Sequence, residues 1–583
     1  MPRKPFRNLS PAVFLANEVQ SAMKTSMQSS AQTVSARLRF TTPKSFLSHI
    51  PIYVWVVAAL VALLHLAPIW RAQSQTPTGW TFTGNVNGSP DYMQYRVWMR
   101  QTQETGVLVA NKFTSEPNRP HLPVVFYYAL GKVSYWLNTT PELIYAYSGS
   151  LFASALVVLL FITIQHFLKS SYQVWWVFGV ILIGGGFGAH FKILSGFEFL
   201  TSSPFLQRII FEPLRAWPVF EDYRGNYLFL TIFDTHYLFI WIIFTGSILS
   251  LYFTLKKFSL ARLILTAMLY AATTIVHVYE GPTLIMITVA VVFLCWRKGL
   301  KIRSAFVAAT LCTLAVSACL MLQVIFYRSS GLPVPPWRAV NILASTLLIG
   351  YPLAWVLIAW GIGDYWLKAG FSECFLLGWC LGCLSLVLAG PFYPYPDRGL
   401  MTLQIPIYII AGTIYFSRHV RVTPFAALVM ILVLGATPIW MLVKVWQATT
   451  FDSNAPYVFM SPAHREIVDV LQEQASKDDV LLIDKSDFPW KTDDLWLAPE
   501  YPGKFYCSHF FLTADYERKR AEVVSFFKSD NSEEQAGFLR KRKIRFLYTR
   551  ANEDPKHFTH VPGLILLKAA PFGSLFEYID GAG

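Results

Sequence analysis

Eleven apolar runs, each long enough to cross a bilayer as a helix, fix what this chain can fold into: 52–70, 143–168, 173–190, 235–254, 259–276, 281–296, 304–327, 340–366, 372–390, 399–416 and 423–446. With 54% hydrophobic and only 14% charged residues over 583 positions, the chain reads as a polytopic α-helical membrane protein and not a soluble enzyme. Its net charge of +14 therefore reports cytoplasmic loops, and nucleic-acid binding is not implied. Cys295, Cys312, Cys319, Cys374, Cys380 and Cys383 lie in apolar runs and Cys507 lies outside them, so neither a disulfide framework nor a cysteine metal site is implied.

Charge sets the orientation. Residues 1–50 carry seven basic residues against the single acid Glu18 and read as a disordered basic cytoplasmic tail. The first run lacks a small-residue cleavage site and reads as an uncleaved anchor. The short connections Lys256-Lys257…Arg262, Arg297-Lys298…Arg303 and Arg418-His419-Arg421 are basic and must share the tail's side. That parity holds only if the short run 122–137, which carries Lys132, stays outside as an interfacial or re-entrant helix. The N-terminus is then inside and the C-terminus outside.

The outer loop 71–142 is too polar to cross and too patterned to be a linker. Ser89 suits an N-cap and Pro90 a first helical position, so a helix is expected there, with Tyr92, Tyr95 and Trp98 on one face lying in the headgroup layer. This places Asp91 at the water–membrane boundary, where it either complements the helix dipole or does chemistry. The same topology gathers Glu116, Asp234, His236, His277, Glu280, Asp397 and Arg398 on the outer face, where ionisable groups at span ends are costly. Asp234 and Asp397 read as anchors of span ends; His277 and Glu280 divide evenly between anchoring and function.

Composition shifts near residue 447. Helices over 462–476, 513–528 and 533–542 alternate with strands at Val480–Ile483, Ile544–Tyr548 and Leu564–Leu567, which implies a small α/β domain over 447–583. It holds no GxGxxG, P-loop or GxSxG sequence and is expected to contribute no catalytic group.

The first outer loop resembles a known family. Its Asp91 soon after the first span, the segment Asn111-Lys112-Phe113-Thr114-Ser115-Glu116-Pro117 and the apolar Tyr127-x-x-Leu130-Gly131 are similar to those of GT-C integral-membrane glycosyltransferases. Within them the nearest likeness is to bacterial protein O-mannosyltransferase-like and lipopolysaccharide-core sugar transferases. His277–Tyr279, Pro396-Asp397-Arg398-Gly399 and Tyr506–Lys519 fit the same grouping.

The resemblance implies a GT-C-like core over 51–446 with about eleven spans and juxtamembrane helices in loop 71–142, followed by an extracytoplasmic α/β domain over 447–583. It further implies a multi-pass enzyme of the cytoplasmic (inner) membrane that moves a sugar from a polyprenyl-phosphate donor to a glycan, lipid or protein acceptor. Asp91 matches the family's catalytic carboxylate and would act as general base. The leaving phosphate needs cations, for which Arg398 and Lys112 or Arg119 are available. Tyr92, Tyr95, Glu116, His236, His277, Tyr279 and Glu280 complete the expected substrate site. No cofactor is implied, with a divalent metal ion left as the alternative. The competing reading is a non-catalytic relative that binds a lipid, glycan or partner during envelope assembly.

Overall fold

The computed structural model describes residues 50–84, 86, 90–120, 125–187, 190, 202–206, 232–300, 303–329, 347, 350–389, 396–419, 421–453, 455–485, 493–550 and 555–580. The basic tail 1–49 therefore lies outside the described residues, as do Ser89 and most of 191–231. Among the described residues, thirteen helices of twelve residues or more precede the change in composition: α1 (Ile52–Gln75), α2 (Pro90–Thr105), α3 (Val125–Trp136), α4 (Pro141–Phe167), α5 (Ser171–Ile183), α6 (Thr235–Lys256), α7 (Leu260–Val276), α8 (Glu280–Arg297), α9 (Arg303–Ser329), α10 (Pro352–Leu367), α11 (Phe371–Leu388), α12 (Gln404–Arg418) and α13 (Pro424–Ala448). Each of the eleven apolar runs is represented among them.

Seven of these, α1, α4, α6, α8, α9, α11 and α13, are long and apolar enough to cross a membrane, and the chain is an integral membrane protein. Within this set α6 is the most enclosed, with 61% of its apolar window buried, against 28% for α9. The site described below is accordingly built around α6. The other four runs give shorter helices of 13 to 17 residues.

The helix α5 stops at Ile183, short of the expected 190, for a local reason. Gly184, Gly185 and Gly186 follow it, and their backbone leaves the helix to bond with α13. Pro438 within α13 cannot donate to Leu434, and the Gly185 N–H takes that freed carbonyl at 2.6 Å while Thr437 Oγ1 donates to Gly186 O at 2.6 Å. Irregular backbone among spans is satisfied by protein partners, as the absence of water there requires.

The helix α3 has 12 residues, a length of about 18 Å at the α-helical rise, which falls short of an apolar core of about 30 Å. It does not cross. It packs on α2 instead, and Gly131 permits the approach: a Cβ there would lie 2.6 Å from the Met99 carbonyl oxygen.

The C-terminal region forms a five-stranded sheet in the order β4 (Lys504–Phe505), β3 (Val480–Ile483), β5 (Ile544–Arg550), β7 (Gly573–Tyr578), β6 (Leu564–Ala570). β3 runs parallel to β4 and β5, and β7 is antiparallel to β5 and β6. Helices α14 (Pro462–Gln474), α15 (Asp494–Leu497), α16 (Tyr516–Lys528) and α17 (Ser532–Arg542) accompany it. Three expected strands are present, while β4 and β7 were not anticipated. A two-stranded pair, β1 (Thr81–Phe82) with β2 (Phe459–Met460), ties loop 71–142 to this region.

Candidate active site

The helix α2 carries Asp91 in its first turn. Its aromatic face does not lie in the headgroup layer, because α3 and α4 cover it. Tyr95 stacks on Tyr127 with ring centres 4.4 Å apart, and Tyr92 meets Tyr145 edge-on at 5.3 Å. Both tyrosines are buried and build the wall behind Asp91. The neighbouring face of α2 presents Arg96 and Arg100, each bonded to both Glu142 at the start of α4 and Glu500 from the C-terminal region. Four charged groups thus fix the rotation of the helix that holds Asp91.

The start of α6 supplies the next element. Asp234 caps it, accepting from the His236 N–H at 3.0 Å and from Tyr145 Oη at 2.7 Å, which agrees with an anchoring role. Burial pushes the Asp234 carboxyl up to about 6 in spite of these donors. The cap sets His236, whose ring stacks on Tyr127 at 5.3 Å and meets His277 edge-on at 5.6 Å. His236 Nδ1 is buried without a hydrogen-bond partner among the described residues.

Three residues separate α7 from α8. Within that gap the His277 ring lies 5.2 Å from Tyr279, and its Nδ1 is 3.2 Å from Glu280 Oε1 at the head of α8. Arg398, in the 3₁₀ turn Pro396–Leu400, donates to Tyr237 Oη at 2.8 Å and holds its guanidinium 6.0 Å from the Tyr279 ring. Asp91, His236, His277, Tyr279, Glu280 and Arg398 are therefore gathered around the start of α6, the end of α7 and the start of α8. The side chain of Asp397 lies outside the described residues.

Lys112, Glu116 and Arg119 are placed elsewhere. Lys112 Nζ donates to the Tyr501 carbonyl at 2.8 Å, and burial pushes its amine down to about 8. Glu116 pairs with Lys519 at 2.6 Å. Both dock loop 71–142 on the C-terminal region, where Phe505 N donates to Lys112 O and Thr114 bridges Cys507. The segment Asn111–Glu116 thus extends the edge of β4. Arg119 is exposed.

A residue that sequence reasoning did not assign completes the cluster. His509, just beyond β4, brings Nε2 to 3.5 Å from Asp91 Oδ1. Its side chain is 1% exposed, whereas that of Asp91 is 44% exposed. Partial desolvation by the surrounding walls pushes the half-exposed Asp91 carboxyl up, but His509, Arg398 and His236 together outweigh it and hold the group below the ordinary carboxylate range. The signal was present in the Tyr506-Cys507-Ser508-His509 segment, yet nothing in its spacing ties it to a position in the first loop. Among the described residues, no group of three or more His, Cys, Asp or Glu side chains is arranged to hold a metal ion.

No protein-family model matches this sequence, and no curated protein does. Solved structures do. The fold is similar to that of the oligosaccharyltransferase of Archaeoglobus fulgidus, crystallised in complex with zinc and sulfate, at a TM-score of 0.52 and 11% identity over 89% of this chain and 72% of that one. It is also similar to the arabinofuranosyltransferase AftD from Mycobacteria, at a TM-score of 0.50 and 13% identity over 91% of this chain and 40% of that one. At these identities the likeness is one of fold.

Proposed function

We propose that this chain, which has the GT-C glycosyltransferase fold, transfers a sugar from a polyprenyl-phosphate donor to a hydroxyl of an extracytoplasmic glycan, lipid or protein. The observation that carries the reading is the half-exposed carboxylate of Asp91, set among buried imidazoles and under the charge of Arg398. In the reaction the acceptor oxygen forms a bond to the anomeric carbon while the bond from that carbon to the phosphate oxygen breaks. The hydroxyl proton passes to Asp91, and the charge left on the departing phosphate is met by Arg398. An anomeric centre with oxocarbenium character acidifies the attacking hydroxyl, so a carboxylate of ordinary or lower basicity suffices. Lys112 is left out of the phosphate site because its ammonium serves the Tyr501 carbonyl.

The purified protein, incubated with a polyprenyl-phosphate sugar and a hydroxyl acceptor, should release polyprenyl phosphate. No turnover with any such donor would transfer the reading to the non-catalytic alternative. In the same assay Arg398→Ala should raise KM for the donor and also slow transfer. Hydrogen bonds to charged groups are worth about 1.5–3 kcal/mol, which corresponds to roughly 10- to 150-fold in kcat/KM. An unchanged donor KM would remove Arg398 from the phosphate site.

The reaction is assigned to the outer side of the cytoplasmic membrane, with the N-terminus inside. Cys507 is a poor reporter of this topology, since it is buried and its thiol is pushed up to about 12 by burial. Asp478, whose side chain is 92% exposed, gives a better position. An Asp478→Cys variant should react with an impermeant maleimide in intact cells, and labelling only after permeabilisation would reverse the assigned orientation.

A further inference from the structure

We propose that His509, delivered by the C-terminal region, is a positioning residue for Asp91 and makes that region an integral part of the active site. The inference rests on Asp91 being the base. It begins from the tautomer. The Phe511 N–H donates to His509 Nδ1 at 3.3 Å, so Nδ1 offers its lone pair and the ring proton of the neutral imidazole sits on Nε2. Nε2 is buried, has no hydrogen-bond partner among the described residues, and lies 3.5 Å from Asp91 Oδ1. A buried N–H is costly to leave unmade, and the Asp91 carboxylate is the acceptor it approaches. At 3.5 Å the bond is not yet closed, which is common for catalytic pairs before substrate binds.

The surroundings leave the imidazole little freedom. Phe510 stacks on it with ring centres 5.0 Å apart, and Phe113 lies at 5.7 Å. Phe113 belongs to the segment that extends β4, and its carbonyl accepts from Thr513 Oγ1 at 2.6 Å, so both sides of the contact are fixed by the same docking. A donor on Oδ1 turns the carboxylate and leaves Oδ2 to take the acceptor proton. It also favours the ionised form of Asp91.

The test compares His509→Leu, which removes the donor, with His509→Gln, whose amide N–H stands the same number of bonds from Cβ as His Nε2. In His509→Leu, kcat should fall by about 10- to 100-fold, the scale of a misplaced reacting group, while KM for a polyprenyl-phosphate sugar stays near the wild-type value. Its acid limb in the pH–rate profile should move to higher pH, because Asp91 loses a group that favours its charge. His509→Gln should restore most of kcat and the wild-type acid limb. If both variants lose activity alike with the acid limb unmoved, His509 only packs the domain and the inference is overturned. An inactive Asp91→Asn beside a fully active His509→Leu overturns this inference alone. A fully active Asp91→Asn overturns the base assignment and the role of His509 with it.

Discussion

Asp91→Asn should lower transfer by about 10²- to 10⁴-fold, the usual worth of a general base, while the protein still inserts and still binds its lipid donor. The substitution keeps the shape of the side chain and removes its capacity to accept a proton. Its effect on folding should be small, because a carboxylate in a first helical turn is worth about 0.3–1 kcal/mol through the helix dipole. The two roles therefore separate by measurement: a dipole-only Asp91 predicts a slightly lower melting temperature and nearly intact turnover, and a base predicts the reverse. Wild-type pH dependence adds a second check. Because His509, Arg398 and His236 hold the carboxyl below the ordinary range in spite of its partial desolvation, the base form persists through neutral pH. It is lost only as pH falls through that depressed value, so the acid limb should lie below the range of an unperturbed aspartate, and Asp91→Asn should abolish it. Full activity in the variant would refute the assignment.

How much of this was readable beforehand follows from the range of the interactions. The apolar helices are written locally: an apolar run needs no partner to be recognised, and each of the eleven runs holds a helix, seven of them long enough to cross. Loop charge set 122–137 apart from the other apolar runs, and within it α3 has 12 residues. Asp91, His236, His277 and Arg398 were legible as ionisable groups at the outer ends of apolar runs. Tyr92 and Tyr95 were read correctly as one helical face, but what covers that face depends on α3 and α4, which periodicity does not report. β4 is two residues long and gains its place from β3 and from the loop segment beside it, a pairing no local pattern encodes. The contact of His509 with Asp91 joins distant parts of the chain and was invisible for the same reason. Lys112 carried a charge suited to phosphate and Glu116 was expected in the substrate site, yet both serve to dock the C-terminal region.

Glu500→Ala should loosen the C-terminal region from the membrane helices by about 3 kcal/mol or more, since removing one partner of a buried ion cluster leaves a charge without compensation. Glu500 is 4% exposed and meets Arg96 at 3.3 Å and Arg100 at 2.5 Å, while Glu142 holds the other side of both guanidinium groups. Two positive and two negative groups balance there, and losing one acid leaves α2 with an excess positive charge next to α4. Arg465, 3.7 Å from Glu500 and 43% exposed, is the internal control, because Arg465→Ala breaks a solvent-screened pair worth under about 1 kcal/mol. Since unfolding of a chain with several parts is not two-state, the measurement is local hydrogen exchange across α2 and the start of α4. At 1.4 kcal/mol per tenfold, a loss of about 3 kcal/mol speeds opening roughly 100-fold. The helix so released is the one whose first turn holds Asp91, so Glu500→Ala should also lower kcat although Glu500 touches no reacting atom. Exchange no faster than in Arg465→Ala would mean that the four charges are independent pairs and that docking of the C-terminal region rests on the β1–β2 pair, the Asn111–Glu116 segment and Lys519.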